Sequence, residues 1–329
     1  MNDSSDTSHT LAHWQQAAAA LRADTRPVIG GCRVEPLATE TFQSVHPHDG
    51  RVVATYPACG LSEIDSAVAA ARKAFEAGAW AGLAPAERTR VLHRLSDLLR
   101  THGDELALMD ALEMGMPITQ ALGDIDEAVD GLRAQAQLAS QLTDLVLPSA
   151  PHTLALNLRI PHGVVGAVTP WNFPLYVALS KVVPALVMGN SLVLKPSELA
   201  SLSCLRLAEL AVEAGLPPGV FNVVPGRGLP AGQALARHMD VDCLTFTGST
   251  ATGLQLLQDA GRSNLKVTLL ECGGKSPQLV FDDLGDMDAL ADALVQGFAW
   301  NSGQVCVSGT RILVAQHLFD RLAAALAER

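Results

Sequence analysis

The chain has 329 residues, a length that predicts about two domains at roughly 150 residues each. Hydrophobic residues make up 48% and charged residues 17%, which supplies a real core and argues against wholesale disorder. With 23 Lys and Arg against 34 Asp and Glu, the net charge is −11 and the pI near 5.3. An acidic surface repels phosphate backbones, so nucleic acid is not expected as a partner, whereas a small anionic cofactor needs only local amides and a cation.

The 6 cysteines (Cys32, Cys59, Cys204, Cys243, Cys272 and Cys306) are scattered, with no Cys-x-x-Cys spacing. That pattern predicts a reduced, cytoplasmic protein with no structural metal. Met1 to Thr10 is polar and lacks an apolar stretch, so no signal peptide is expected. Between Arg159 and Lys181 no residue carries a formal charge, but Pro161, Pro170 and Pro174 break that stretch and no membrane span is expected.

In chain order, residues 1–60 are turn-rich, with short β-like pieces such as Arg51–Tyr56 between prolines and glycines. Ser62 followed by Asp65 resembles a capping box, and Ile64, Val68, Ala71 and Phe75 recur at helical spacing behind it. A second helix is expected near Pro85, with Val91, Leu92, Leu95, Leu98 and Leu99 as its buried stripe. More helix is expected over Glu105–Leu112 and Asp124–Leu142. The imperfect alternation of Thr153–Ile160 reads as an exposed strand, so residues 150–162 are a candidate oligomer contact.

From Gly163 the pattern becomes strand, helix, strand, helix. Strands are expected at Val164–Val168, Ser191–Leu194, Val220–Val224, Cys243–Phe246, Val267–Leu270 and Gln278–Phe281. Helices are expected around Tyr176–Met188, Leu202–Ala214, Pro230–His238 and Gly253–Ala260. Short apolar strands alternating with amphipathic helices predict an α/β fold with a Rossmann-type parallel sheet, covered on both faces. Ligands in such folds bind at the carboxyl ends of the strands, so the loops there are where chemistry is sought.

After the first of these strands, Thr169-Pro170-Trp171-Asn172-Phe173-Pro174 holds an amide side chain in a stiff turn. Asn172 is a candidate oxyanion donor; the alternative is a rigid turn with Trp171 packed in the core. Lys195-Pro196-Ser197-Glu198 follows the next strand and suits a ribose diol, or else is an ordinary helix start capped by Ser197. Gly226, Gly228 and Gly232 form a G-x-G-x-x-x-G run that departs from the dinucleotide fingerprint. Phe246-Thr247-Gly248-Ser249-Thr250-Ala251-Thr252-Gly253 joins a strand to a helix, where amides and the Ser249 hydroxyl suit a pyrophosphate or simply cap the turn. Glu271 ends an apolar strand beside Gly273 and Gly274; burial would raise its pKa and make it a usable general base, or it caps or ion-pairs. Cys306, among small polar residues after Asn301, is a candidate nucleophile or a small buried apolar residue.

Read in order, Pro-Trp-Asn-Phe-Pro, Lys-Pro-Ser-Glu, Phe-Thr-Gly-Ser-Thr, Glu-x-Gly-Gly-Lys-Ser-Pro and Gly-Gln-x-Cys-x-x-Gly-Thr-Arg resemble the NAD(P)-dependent aldehyde dehydrogenase superfamily, from about Leu11 to the last residue. Leu11-Ala12-His13-Trp14-Gln15, Ser263-Asn264-Leu265-Lys266 and Gly303-Gln304-Val305-Cys306 look most like its gamma-glutamyl-gamma-aminobutyraldehyde dehydrogenases. The resemblance implies a cofactor domain over residues 1–270 and the first part of an incomplete α/β catalytic domain over 271–329. It implies Cys306 as nucleophile, Glu271 as activator of water, Asn172 as oxyanion donor, and Lys181 as an aid to proton movement. It assigns the cofactor to Pro170, Trp171, Lys195, Ser197, Glu198, Gly228, Gly232, Phe246, Thr247, Gly248, Ser249 and Thr252. Glu198 would repel a 2′-phosphate, which favours NAD while leaving NADP possible.

Family members continue past Arg329, and a Glu-x-Phe-Gly-Pro segment that would hold the nicotinamide ribose is not found here. Residues 1–329 by themselves are therefore expected to be inactive and prone to aggregate, and a complete chain to form a homodimer or homotetramer. Three functions stay open: hydrolytic oxidation of an aldehyde, with an aminoaldehyde or other aliphatic aldehyde as the expected substrate; a remnant that at most binds NAD; and CoA-acylating semialdehyde oxidation, against which Glu271 argues.

Overall fold

A computed structural model describes residues 10–283 and 285–329. The first stretch contains α1 (Leu11–Ala20), β1 (Val28–Ile29), β2 (Cys32–Arg33), β3 (Thr41–Val45) and β4 (Val52–Pro57). The helices α2 (Leu61–Glu76), α3 (Pro85–Thr101), α4 (Gly103–Met114) and α5 (Ile118–Leu138) follow, then β5 (Leu145–Leu147) and β6 (Ala155–Asn157). The alternating stretch runs β7 (Val164–Val168), α6 (Pro174–Val187), β8 (Ser191–Lys195), α7 (Leu202–Glu213), β9 (Phe221–Val223), α8 (Gln233–Arg237), β10 (Cys243–Gly248), α9 (Thr250–Gly261) and β11 (Val267–Cys272). The last elements are β12 (Pro277–Val280), α10 (Met287–Ala299), β13 (Arg311–Val314) and α11 (Phe319–Ala327).

These elements divide into two compact units, one comprising the chain up to Phe246 with Leu256–Leu269, the other Thr247–Gln255 with Leu270–Arg329. The first unit is organised by a 7-stranded sheet in the order β11-β10-β7-β8-β9-β1-β2. β10, β7, β8 and β9 run parallel, as their patterning predicts. The sheet as a whole is mixed, because β1 joins β9 and β2 joins β1 antiparallel. Those two-residue strands lie in the turn-rich stretch, too short for any periodicity to mark them.

Every residue of β7 and β8 is buried. Successive strand side chains point to opposite faces, so both faces of the sheet are covered. α2 packs on β7, β8 and β9, α6 on β7 and β8, and α7 on β9. The cap of α2 differs from the Ser62/Asp65 expectation. Glu63 Oε2 accepts from Gly60 N–H at 2.8 Å, and its Oε1 accepts from Leu37 and Ala38 N–H at 2.8 and 3.0 Å. Burial pushes the Glu63 carboxyl up, but these backbone donors outweigh it and its pKa is lowered overall.

Two further expectations are corrected. The exposed strand of Thr153–Ile160 is only β6, paired antiparallel with β5 as a small hairpin. Its flanks carry exposed Leu154, Leu158 and Ile160. The helix expected over Pro230–His238 is a π-helical turn at Gly228–Gly232 followed by the short α8. The second unit pairs β12 and β13 in parallel, with α10 and α11 packed together; Val280, Leu294 and Leu322 form its small core. Among the described residues no helix is long and apolar enough to cross a membrane.

Candidate functional site

The parallel register brings the strand ends of the first unit level. Val168 of β7 faces Lys195 of β8 and Phe246 of β10, while Leu194 of β8 faces Val223 of β9. Beyond β7, Thr169 N–H donates to Lys195 O at 3.2 Å and fixes the start of the loop. Pro170, Trp171 and Asn172 are half-buried there, so Trp171 is not a core residue, and buried Phe173 and Pro174 turn the chain into α6. α6 carries Lys181 inward, where its Nζ donates to Thr245 Oγ1 at 3.2 Å. Lys181 lines a cavity of about 290 Å³ with Val165, Pro184, Cys243 and Leu269.

Lys195 is only 2% exposed, and its Nζ lies 3.4 Å from Glu198 Oε2, whose side chain is half-exposed. Burial pushes the Lys195 ammonium down from its usual range, against the opposing pull of Glu198. Ser197 does not cap a helix: its Oγ accepts from Leu199 N–H at 3.3 Å in a turn, and α7 begins only at Leu202. Gly232 lies against the Lys195 side chain, and the space where Gly228 would carry a Cβ is open. Gly226, passed over in favour of those two, is the glycine that packing demands. A Cβ there would stand 2.6 Å from Cys59 O and 2.7 Å from Ala231 Cβ. Phe246 is buried in the sheet.

The second unit holds Thr247, Gly248, Ser249 and Thr252. Ser249 caps α9: its Oγ accepts from Thr252 N–H at 3.1 Å and lies 2.9 Å from Thr252 Oγ1. Glu271, in the same unit, is exposed rather than buried, because β11 is an outermost strand of its sheet. The expected burial therefore fails, and what ties the Glu271 loop to Cys306 is a backbone bond. Gly274 N–H, three residues on, donates to Cys306 O at 3.1 Å, so the Glu271 and Cys306 loops are bound together.

Other contacts hold the Cys306 loop. Asn301, Ser302 and Gly303 adopt left-handed φ values of 49°, 57° and 76° in succession, a run that costs energy for the first two and persists only when its surroundings enforce it. Gln278 of β12 donates from Nε2 to Leu294 O at 3.2 Å and to Gly309 O at 2.8 Å. A Cβ on Gly297 or Gly309 would approach Gln278 within 2.7 or 2.5 Å, so both glycines make room for this clamp. Reading by motif missed Gln278, because its role lies in which carbonyls it reaches. Burial separates the thiols: it pushes Cys59 up to about 12 and raises Cys204 and Cys243, whereas Cys32, Cys272 and Cys306 are exposed.

Residues 34–329 match the aldehyde dehydrogenase family. The chain belongs to that family. It is 45% identical over 322 residues to the NADP/NAD-dependent aldehyde dehydrogenase PuuC of Escherichia coli (strain K12), covering 98% of this chain and 65% of that protein. It is 44% identical over 316 residues to the aminoacetaldehyde dehydrogenase of Pseudomonas aeruginosa, covering 94% and 64%. Among solved structures, the gamma-glutamyl-gamma-aminobutyraldehyde dehydrogenase from Burkholderia cenocepacia J2315 superposes with a TM-score of 0.95 at 45% identity, covering 97% of this chain and 65% of that one. An indole-3-acetaldehyde dehydrogenase in complex with NAD+ gives 0.94 at 45% identity, covering 96% and 64%. The aldehyde dehydrogenase chain described here thus spans just under two thirds of the length of these relatives.

Proposed function

We propose that the protein oxidises an aldehyde to a carboxylic acid with NAD as hydride acceptor, through a covalent intermediate on Cys306. The observation that carries this reading is the bond from Gly274 N–H to Cys306 O, which joins an accessible thiol and a carboxylate loop within one unit. Cys306 as thiolate attacks the aldehyde carbon, and its own backbone amide donates to the oxygen of the thiohemiacetal, a role that the family resemblance also gives to Asn172. NAD, when bound, would supply the hydride acceptor for this oxidation. Glu271 then removes a proton from water, and the resulting hydroxide releases the acid from the thioester. Lys181 and its bond to Thr245 Oγ1 serve proton movement.

The adenosine end of NAD suits the first unit. Lys195 offers a buried donor and Glu198 a half-exposed acceptor for a ribose diol, and the space where Gly228 would carry a Cβ is open. Pro170, Trp171, Ser197, Gly232 and Phe246 shape that site, and Thr247, Gly248, Ser249 and Thr252 present the start of α9 to the pyrophosphate. Glu198 disfavours a 2′-phosphate and so favours NAD over NADP. The substrate we favour is an aminoaldehyde or other aliphatic aldehyde, the aminoaldehyde supported by the names of the aminoacetaldehyde and gamma-glutamyl-gamma-aminobutyraldehyde dehydrogenases. Free, dispersed cysteines fit the cytoplasm, and the exposed apolar side chains around β5 and β6 fit a homodimer or homotetramer.

The test is NADH formation with an aldehyde by the protein expressed from its own gene, with Glu271→Gln as variant. The amide keeps the shape but takes no proton from water, so a burst of about one NADH per site followed by slow turnover is expected. Wild-type protein without aldehyde-dependent NADH would refute the reading, and a Glu271→Gln protein with no burst would move Glu271 to an earlier step.

A further inference from the structure

Glu113 of α4 lies outside every motif and far in sequence from the residues that the mechanism uses. It is only 3% exposed, yet it is an acid in a helix otherwise rich in leucine, alanine and methionine. A carboxylate so deeply buried is expensive unless its oxygens are bonded, and these are. Glu113 Oε1 accepts from Tyr56 O–H at 2.6 Å, and Oε2 accepts from Ser201 N–H at 2.9 Å and Leu202 N–H at 2.8 Å. Those amides are at the start of α7, where a helix has donors without partners of its own.

The contacts continue from there into the loop after β8. Ser201 Oγ donates to Ser197 O at 2.7 Å, and Ala200 N–H donates to the same oxygen at 3.2 Å. Leu199 O is held from outside by Ser44 Oγ at 2.9 Å. The loop anchored in this way carries Lys195 and Glu198, which meet at 3.4 Å. Tyr56 is fixed independently, its ring stacked on Phe42 with centroids 5.2 Å apart. All of these residues belong to the first unit.

We infer that Glu113 is a positioning residue for dinucleotide binding: by gripping the first amides of α7 it holds the Ser197 turn, and through it the Lys195–Glu198 pair, in register for the adenosine ribose. This inference rests on the NAD reading above and assigns to it a residue that touches no ligand. Replacement by glutamine presents an NH₂ group where one of the oxygens accepts, so either the phenol or the two amides of α7 lose their acceptor. An anchor of this kind acts on the adenosine end alone, and so predicts equal losses for NAD and for AMP.

The experiment is calorimetric titration of the protein expressed from its own gene with NAD and with AMP, for wild type, Glu113→Gln, Ser201→Ala and Tyr56→Phe, with each variant's melting temperature. Glu113→Gln is expected to weaken both nucleotides by about tenfold, and Ser201→Ala by about threefold. Tyr56→Phe removes only the phenol bond and should lower the melting temperature while leaving both affinities unchanged. If Glu113→Gln does not fold, Ser201→Ala decides, since it keeps Glu113 and cuts the link to Ser197. Unchanged affinities in Glu113→Gln or in Ser201→Ala overturn the inference, as do losses across all three variants that merely follow their melting temperatures. Wild-type protein that binds neither nucleotide overturns the NAD reading and this inference with it.

Discussion

β7 and β8 of the first unit are buried at every position, whereas β12 and β13 of the second alternate between exposed and covered residues, with Leu279 59% and Leu313 53% exposed. The same contrast separates the residues proposed to act. Lys181, Lys195 and Phe246 are held in a closed interior, while Glu271 and Cys306 stand at the surface. The side chains proposed for proton movement and for the adenosine end are thus fixed by the core of a sheet. The loop of the proposed nucleophile is fixed by local hydrogen bonds: Gln278 to Gly309, and Gly274 to Cys306. A core resists change through packed area, and a clamp through a few bonds.

The largest expected effect breaks the contrast at its core. Leu194→Ala, at a fully buried position of β8, should cost about 3–4 kcal/mol, whereas Leu313→Ala, half in solvent, should cost under about 1 kcal/mol. Urea unfolding measures both, and equal costs would mean that the two sheets are supported alike.

A pH series sharpens the contrast next. Burial pushes the Asp110 and Glu113 carboxyls each up to about 7, and Asp124 up to about 6. Folded values raised above the unfolded ones, near 4, mean that the folded state keeps protons that the unfolded chain releases. The stability these groups confer is full below about pH 4 and is lost as pH rises through about 6 to 7. The urea midpoint should therefore fall between pH 5 and 8, and Asp110→Asn with Glu113→Gln should flatten much of that slope. A midpoint that rises over this range would contradict the assignment.

The smallest expected effect lies at the start of α9. Ser249→Ala removes the oxygen that accepts from Thr252 N–H and should cost about 1 kcal/mol, measured by the same unfolding curves. A loss under about 0.3 kcal/mol would mean that solvent caps the helix as well as Ser249 does.

Much of the fold was legible in the sequence. Val164–Val168 and Ser191–Lys195 are short β-branched and leucine runs bounded by turn residues, and the helices between them repeat apolar residues at helical spacing. β1 and β2 were not legible, because two-residue strands carry no period and owe their pairing to β9. At the candidate site, Lys195 with Glu198 and Gly274 with Cys306 do meet as neighbours, since each member sits at a strand end or in a loop with a recurring motif. The roles of Gln278, Gly226 and Glu113 were not legible, because they are steric or are set by contacts distant in sequence. The burial expected for Glu271 also failed: an apolar strand preceding a residue says nothing of whether that strand lies in the middle of its sheet or at the edge.

The most direct test of the central claim is Cys306→Ser in the protein expressed from its own gene, comparing NAD affinity with aldehyde-dependent NADH formation. With the adenosine end of NAD assigned to the first unit and the nucleophile to a separate loop of the second, NADH formation should vanish while the dissociation constant for NAD stays within about twofold of wild type. Turnover that survives in Cys306→Ser, or that disappears in Cys272→Ser instead, would contradict the account.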